Sequence, residues 1–290
     1  MTIEHASAHS ATTPWGVVDA RPWSSAGDGV RAVGEIRYER SDSAAARPSL
    51  LLKLLLTSEP LSIQVHPDDA YARSVGLPNG KTEAWYVLSA APGAKVALGL
   101  KRRLTLQQLR HAIVDGSISD LVAWQAVHDG DTTLVPAGTI HAIGAGLIIA
   151  EIQQRSDTTF RLFDHGRGRT LHIDEALAVS DAGPAEIRVT SARQTDTRTL
   201  LTSNSHFTFE RIDLAPDTSW RLQADRETWL LAVSGSAHAN SFHVTTGDTI
   251  FAESDRVDIR AGSEGFSGLV AYTGLMVAHL LEQFDIGATQ

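Results

Sequence analysis

The sequence contains no cysteine, and this absence limits the chemistry that it can support. Disulfide bonds, thiolate zinc fingers, iron–sulfur clusters and a cysteine nucleophile are all excluded. Twelve histidines are present, so any bound metal ion would be held by nitrogen and oxygen ligands. The sequence also lacks an apolar run of about 18 residues, the length that a transmembrane helix needs.

Basic residues are also fewer than acidic ones, with 25 Lys and Arg against 34 Asp and Glu. The 290 residues carry a formal net charge of −9, which argues against a general nucleic-acid-binding protein. The segment Met1 to Pro14 lacks the basic start and apolar stretch of a secretory signal. With 42% hydrophobic and 20% charged residues, the composition is that of a globular protein. We therefore expect a cytoplasmic enzyme or binding protein that uses neither nucleic acid nor membrane.

Short apolar runs separated by Gly, Pro, Asp and Asn recur along the chain and predict a mainly β fold. In the first part of the chain these runs are Ser49–Leu56, Leu61–Val65, Ala84–Leu88, Lys95–Leu100, Thr133–Val135 and Leu147–Ile152. In the last part they are Phe207–Leu214, Thr228–Val233, Ala237–His243, Thr249–Ala252 and Gly268–Tyr272.

Helical signals are few. Thr105 to Gln108 has the capping-box pattern and predicts a helix over Leu106–Val114. A second short helical segment is predicted over Ile118–Ala126, and one more helical turn over Asp174–Ala178.

The composition shifts at Asp181–Pro184, which is the best candidate for a linker. We therefore predict two tandem β-rich units, over residues 1–180 and 186–290, with a helical insert near 104–126 in the first. Both units open a similar hairpin with Gly-Asp, but Val257-Asp258 stands in the second unit where the first has His141. Only the first unit is expected to carry a metal ligand there.

Three segments of the first unit carry candidate metal ligands. Gln64 and His66 are two residues apart on a predicted strand and share one face. Glu83 opens a strand beside two aromatic residues, where burying a carboxylate requires a metal or a base as partner. His141 follows a strand–turn–strand pattern of Gly and Pro. Taken singly, a surface histidine, an edge glutamate and a structural hairpin are the competing interpretations.

Together, these four side chains form a set of two nitrogen and two oxygen ligands. Such a set leaves room for water or substrate and favours a catalytic zinc site, with Fe(II) or Mn(II) as alternatives. A further segment, Ala150–Ile173, concentrates charge in Glu151, Arg155, Arg161, Arg167 and Arg169. It is either a solvated loop or an anion-binding wall that faces the metal.

Four motifs in this order resemble the type I phosphomannose isomerase (mannose-6-phosphate isomerase) family in its short bacterial form. The motifs are LSIQVHPDDAYA, GKTEAWYVL, VPAGTIHAIGAG and EIQQRSDTTFRLFDHGR. The resemblance covers roughly Pro14 to Val179, and the last third of the chain matches only as a second, degenerate cupin unit. The family resemblance implies a fold of two tandem cupin-type jelly rolls.

The resemblance implies a zinc-dependent aldose–ketose isomerase that interconverts mannose 6-phosphate and fructose 6-phosphate through a cis-enediol. It implies one Zn²⁺ per chain, or another divalent metal, held by Gln64, His66, Glu83 and His141. Arg161 matches the catalytic arginine of the family, Lys81 and Glu151 are the competing candidates for the base, and Ser62 and Arg167 match substrate-binding positions. The expected partner is a small sugar phosphate, and the expected state is a monomer or weak homo-oligomer.

One departure from the family leaves the substrate open. The family pattern GE-x-WE is replaced by Gly34 to Glu39 without tryptophan, and the connection over residues 40–49 is shortened and expected near the pocket mouth. The alternatives are a related cupin isomerase for a free or different sugar, and a non-catalytic sugar-phosphate-binding cupin.

Overall fold

The computed structural model describes residues 2–24, 32–185 and 191–284. Up to residue 163 the strands are β1 (Thr2–His5), β2 (Ser7–Val17), β3 (Val33–Glu39), β4 (Leu50–Thr57), β5 (Ile63–Val65), β6 (Glu83–Ala90), β7 (Lys95–Leu100), β8 (Val122–Ala126), β9 (Thr132–Val135), β10 (His141–Ile143), β11 (Leu147–Gln154) and β12 (Phe160–Phe163). The helices of the described residues are α1 (Asp69–Ser74), α2 (Leu106–Asp115), α3 (Ile118–Leu121) and α4 (Ile173–Val179).

The last part of the chain is built from strands alone in its described residues. They are β13 (Ala192–Arg193), β14 (Arg198–Ser203), β15 (Phe207–Leu214), β16 (Ser219–Ala224), β17 (Thr228–Ala239), β18 (Phe242–Thr245), β19 (Thr249–Glu253), β20 (Asp255–Thr273) and β21 (Leu281–Gln283). The pairs between these strands are antiparallel, and the predicted mainly β fold class is confirmed.

Two sheets enclose one interior in the part of the chain up to residue 163. One has the order β2-β3-β4-β11-β6-β9 and the other the order β12-β5-β10-β7-β8. Apolar side chains from both sheets, among them Trp85, Leu98 and Ile143, pack into one cluster between them. The candidate site lies at one end of this interior, because its residues sit on the inward faces of strands from both sheets.

Strand β4 explains how the six-stranded sheet is buried on both sides. Its residues Leu50 to Thr57 are all buried. Leu50, Leu52, Leu54 and Leu56 pack with Phe207 and other side chains of the last part of the chain. The alternate residues turn inward, since successive side chains of a strand point to opposite faces. The continuous run of leucine is typical of a strand that is covered on both sides.

The helices cover the outer face of the five-stranded sheet. Leu109 and Ile113 of α2 pack there with Leu162, and the predicted capping box is confirmed by reciprocal hydrogen bonds between Thr105 and Gln108. The predicted helix over Ile118–Ala126 is wrong in its second half. That half forms β8, because it pairs with the open edge of β7 and thereby satisfies its backbone groups.

A ten-stranded sheet forms the last part of the chain and includes β1, which pairs with β19. The predicted linker at Asp181–Pro184 is hydrogen-bonded to the first unit, since Leu100 N donates to Gly183 O at 2.9 Å and Leu104 N to Ala182 O at 2.8 Å. Residue 186, the predicted start of the second unit, lies outside the described residues. The division into residues 1–180 and 186–290 stays a prediction.

The connection over residues 40–49 is expected near the pocket mouth, but none of its residues is among those that line the cavity described below. Its end is held by Glu227, which accepts hydrogen bonds from the backbone of Ser49 and Leu50. The physical reason is that β4 begins against the ten-stranded sheet, so the connection follows it there. Separately, we find no helix among the described residues with the length and hydropathy to cross a membrane.

Candidate metal centre

Three buried side chains converge at the end of the interior. His66 directly follows β5 and precedes the Pro67-Asp68 turn, Glu83 opens β6, and His141 opens β10. The Nε2 atoms of the two histidines lie 3.4 Å from different oxygens of the Glu83 carboxylate. One ligand atom from each residue can be chosen so that all three lie within 4.8 Å of one another. This is a spacing that one metal ion could bridge.

Hydrogen bonds fix the tautomer of both histidines. His66 Nδ1 lies 2.8 Å from the carbonyl oxygen of Thr158, and His141 Nδ1 lies 2.9 Å from that of Thr139. A carbonyl oxygen only accepts, so each Nδ1 carries the proton and donates it. The Nε2 lone pairs are therefore directed to the centre of the cluster, which is the arrangement that metal-binding histidines use.

The electrostatics favour the protonation states that metal ligands require. Burial and the positive charge of Lys81 lower the pKa of His66 to about 3. Burial also lowers the pKa of His141. For Glu83 burial acts in the opposite sense, but the positive charge of Lys81 outweighs it and holds the pKa of Glu83 well below the usual range. Two neutral imidazoles and a carboxylate result, the forms that bind a divalent cation.

One orphaned atom shows that the cluster fits a cation. Glu83 Oε1 is buried and has no hydrogen-bond partner among the described residues. An unsatisfied buried carboxylate oxygen costs free energy unless a cation or donor meets it. Because the donor set is nitrogen and oxygen without thiolate, these residues fit zinc or a similar divalent ion.

Gln64 reaches the same cluster through its amide. In the register of β10 with β5, His141 is the direct partner of Gln64. Gln64 Nε2 lies 3.2 Å from His141 Nε2, while its Oε1 accepts a hydrogen bond from Ser62 Oγ at 3.1 Å. A half-turn of the amide would exchange the oxygen and the nitrogen. The structure thus brings together all four residues of the predicted ligand set.

Lys81 is bound tightly within the cluster. Its Nζ donates to Glu83 Oε2 at 2.6 Å and to His66 Nε2 at 3.0 Å. Burial lowers the pKa of Lys81, but the carboxylates of Glu83 and Glu151 more than reverse this effect, and the pKa is raised. In this arrangement Lys81 is charged, whereas a general base must be neutral.

Sequence reasoning missed Lys53, which is 5% exposed and faces the interior. Its Nζ lies 3.2 Å from Glu151 Oε1, and Trp85 Nε1 donates to the other oxygen of Glu151 at 3.0 Å. The signal that could have found Lys53 is its position in an otherwise unbroken run of leucine, where a lysine needs a buried partner.

A cavity of about 270 Å³ adjoins the cluster. Its wall includes five of the predicted site residues, namely Ser62, Gln64, Lys81, Glu151 and Arg161. Further charged side chains on the wall are Glu35, Arg37, Lys53, Asp157 and Arg169. The pocket therefore presents both signs of charge to a small polar molecule, and the net charge of −9 of the whole chain does not describe it.

The predicted arginine wall is only partly present. Arg161 lines the cavity, donates from Nη1 to Thr170 O at 2.8 Å, and has a buried Nε without a partner among the described residues. Arg167 is not among the described residues on the cavity wall; its guanidinium binds Pro60 O at 2.8 Å and Asp164. Arg155 pairs with Glu39 at 2.9 Å, also away from this wall.

Comparison with known proteins supports the resemblance seen in the motifs. The chain is 44% identical over 140 residues to a mannose-6-phosphate isomerase of Streptococcus mutans, a match that covers 46% of this chain and 44% of that protein. It is 40% identical over 137 residues to a probable mannose-6-phosphate isomerase of Bacillus subtilis, over 45% of this chain and 43% of that protein. The predicted resemblance to the phosphomannose isomerases is confirmed.

The matched segment spans less than half the length of these curated relatives. The fold is similar over a longer range. A crystal structure of the mannose 6-phosphate isomerase from Bacillus subtilis superposes with a TM-score of 0.81 and 21% identity, covering 94% of this chain and all (100%) of that one. A phosphomannose isomerase variant from Salmonella typhimurium gives a TM-score of 0.75 at 14% identity, over 95% of this chain and 100% of that one. No protein-family model matches the chain.

Proposed function

We propose that this chain is a zinc-dependent aldose–ketose isomerase that interconverts mannose 6-phosphate and fructose 6-phosphate through an enediol. The observation that carries the proposal is the buried cluster of His66, Glu83 and His141 beside a cavity lined by charged side chains. The names of the similar proteins supply mannose 6-phosphate as the substrate, and fructose 6-phosphate follows from the family resemblance of the motifs. Gln64 would be the fourth metal ligand.

A zinc ion held by these residues would polarise the carbonyl and hydroxyl oxygens of the sugar and so acidify the C–H bond between them. Three strong ligands and one weak amide ligand leave a coordination position for substrate, as in catalytic zinc sites. Metal analysis of the purified protein tests the choice of ion. We expect zinc at one equivalent per chain, and iron or manganese in its place would correct this part of the proposal.

The chain itself must hold the proton that moves between adjacent carbons. Of the titratable side chains on the cavity wall, Lys81 and Glu151 are the two that the family resemblance marks as candidates for the base. Lys81 would have to lose its proton first, whereas Glu151 would have to leave Lys53 or share it. The pH–rate profiles of Lys81→Met and Glu151→Gln separate them, because only the variant that lacks the base loses the corresponding limb of the profile.

Arg161 is suited to stabilise the negative charge that develops on the sugar oxygens. The side chain lines the cavity, its buried Nε has no partner among the described residues, and a guanidinium keeps its proton throughout. Removing a donor of this kind typically lowers the turnover rate by about 10² to 10³. We expect Arg161→Ala to fold, to retain its metal and to lose turnover by roughly this factor.

The test is a panel of phosphorylated and free aldoses and ketoses, assayed with metal-loaded wild type and Arg161→Ala. Arg103→Ala is a matched control, because that side chain is exposed and paired with Asp181 outside the cavity. Turnover of mannose 6-phosphate that falls only in the Arg161 variant supports the proposal. No turnover by a folded, metal-loaded protein contradicts it and leaves a sugar-phosphate-binding cupin.

One observation favours a different sugar as the second candidate. Arg37 stands on β3 where the family pattern has tryptophan, and it lines the cavity. It is paired with Glu35 and lies 3.0 Å from Asp157. A charged pair in place of an indole changes what this wall can contact. Preferential turnover of another sugar in the panel would identify that substrate.

A further inference from the structure

We propose that Arg169, and not Arg167, binds the phosphate group of the substrate at the cavity wall, beside Arg161. This inference rests on the proposed function, since it assigns the phosphate of the sugar phosphate to one side chain. The sequence contains both arginines two residues apart, and the family resemblance implies Arg167 as the substrate-binding one.

The loop over residues 164–171 brings Arg169 back to Arg161. His165, Gly166 and Gly168 adopt positive φ angles of 52°, 79° and 76°, which turn the chain sharply. The loop closes on β12, because His172 N donates to Arg161 O at 2.9 Å and Arg161 N donates to His172 Nδ1 at 3.1 Å.

Asp164 binds the guanidinium groups of both Arg167 and Arg169. Its carboxylate accepts from Arg169 Nε at 2.9 Å and from Arg167 Nη2 at 3.2 Å. Burial acts to raise the pKa of Asp164, but Arg169 outweighs it and the pKa falls to about 2. The indole of Trp15 supports both guanidiniums, with centroid distances of 4.8 Å to Arg169 and 5.6 Å to Arg167.

The two arginines differ in the donors that they have left. Arg167 Nη1 donates to Pro60 O at 2.8 Å, and its side chain is 14% exposed. The side chain of Arg169 is 31% exposed, lies on the cavity wall, and its Nη1 has no partner in the part of the chain that the structure describes. Arg169 is therefore held by Asp164 at the Nε and Nη2 edge of its guanidinium, and its Nη1 is left to donate to a ligand in the cavity.

The charges of the cavity place an anion at this edge. Lys53 is paired with Glu151, and Lys81 with Glu83. Arg161 has no carboxylate partner within ion-pair distance among the described residues. Burial and the nearby charges of Arg169 and Arg167 lower the pKa of Arg161, although the carboxylate of Asp164 opposes this shift. Asp164 is already shared by Arg169 and Arg167, so Arg161 has no counter-charge of its own. A phosphate monoester carries about −1.5 to −2 charges at neutral pH and would balance this excess positive charge.

The experiment compares Arg169→Gln, Arg169→Lys and Arg167→Gln with wild type, and uses Arg103→Gln as an unrelated exposed arginine. We expect Arg169→Gln to raise KM for mannose 6-phosphate about 10- to 100-fold, the usual cost of one charge-assisted hydrogen bond. The change in kcat should be much smaller. Inorganic phosphate should inhibit the wild type competitively and this variant far more weakly. Arg169→Lys should restore part of the affinity.

Three results would overturn the assignment. The first is an Arg169→Gln variant with unchanged KM and phosphate inhibition. The second is an equal or larger rise of KM in Arg167→Gln. The third is a uniform loss of kcat in both variants, which indicates a structural role through Asp164. Thermal unfolding checks that each variant folds. If Arg169→Gln does not fold, Arg169→Lys is used in its place, so that the test stays decisive.

Calorimetric binding separates this inference from the proposed function. If wild type does not turn over mannose 6-phosphate, its affinities for mannose 6-phosphate and for mannose are compared directly. A preference for the phosphorylated sugar that Arg169→Gln abolishes and Arg167→Gln retains supports the phosphate assignment even though the isomerase proposal fails. Absence of any preference in wild type overturns the phosphate assignment.

Discussion

Glu83 is the residue on which the charge balance of the metal centre depends. Its carboxylate is completely buried and is the only negative partner within ion-pair distance of Lys81 in the described part of the chain. It also lies 3.4 Å from each of the two histidines. A metal ion bound to Glu83 would compete with Lys81 for the same carboxylate, so metal binding and the charge of Lys81 are coupled at this residue.

We predict that Glu83→Gln abolishes stoichiometric binding of a divalent metal, because the only anionic ligand of the cluster is lost. Metal analysis after dialysis measures this directly. In the metal-free state the variant should also unfold at lower denaturant concentration. Its free energy of unfolding should fall by about 3–5 kcal/mol, since Lys81 is left buried without a counter-charge. Glu253→Gln, an exposed position, is the control. A variant that keeps one metal per chain would refute the ligand assignment.

At the scale of elements, helix α2 could be predicted from the sequence, whereas strand β8 could not. Thr105 and Gln108 form the capping box of α2, and they are local signals that act within one turn. By contrast, β8 follows α3 without a turn signal that the sequence reveals, and it exists because the edge of β7 offers it hydrogen bonds. Local chemistry fixes the first element and a distant neighbour fixes the second.

Thr105→Ala should destabilise the protein by about 1 kcal/mol, the usual cost of losing an N-cap side chain. The reason is that Gln108 N loses its acceptor at the start of α2. Denaturant unfolding gives the overall change, and hydrogen exchange of the α2 amides shows whether it is local. Val114→Ala is the control, because Val114 is 66% exposed on the same helix and its truncation should have little effect. Equal effects of both variants would argue against the cap.

At the scale of the whole molecule, the first unit and the ten-stranded sheet are joined by more than apolar packing. Glu227 is buried at 5% exposure and accepts hydrogen bonds from Ser49 N, from Leu50 N at 2.8 Å and from Trp229 Nε1 at 3.1 Å. It therefore caps the start of β4 from the other sheet. Burial raises the pKa of Glu227 above its ordinary value of 4.5, although these hydrogen bonds oppose the shift.

The raised pKa of Glu227 predicts a specific dependence of stability on pH. Between about 4.5 and the raised pKa, the folded state binds this proton more tightly than the unfolded state does, so rising pH lowers the free energy of unfolding. Glu227→Gln removes this effect. In metal-free protein, the advantage of wild type over Glu227→Gln should shrink as pH rises through this range, as urea unfolding at several pH values would show. A gap that is constant with pH would contradict the prediction, and Glu253→Gln is the exposed control.

The sequence by itself determined the ligand chemistry and the local elements of this protein. Without cysteine, a metal can be held only by nitrogen and oxygen, and the two-residue period of a strand already places Gln64 on the same side as His66. The mainly β class followed from the same short-range patterns. These inferences hold because composition and backbone geometry act over a few residues.

Only the tertiary structure decided which distant side chains meet. The strand pairing brings His141 to Gln64, and the inward face of β4 turns Lys53 toward Glu151. The left-handed turns of the loop leave Arg169, and not its neighbour two residues earlier, on the cavity wall. Such contacts depend on register, sheet packing and loop closure across long stretches of chain, which no local pattern of residues encodes.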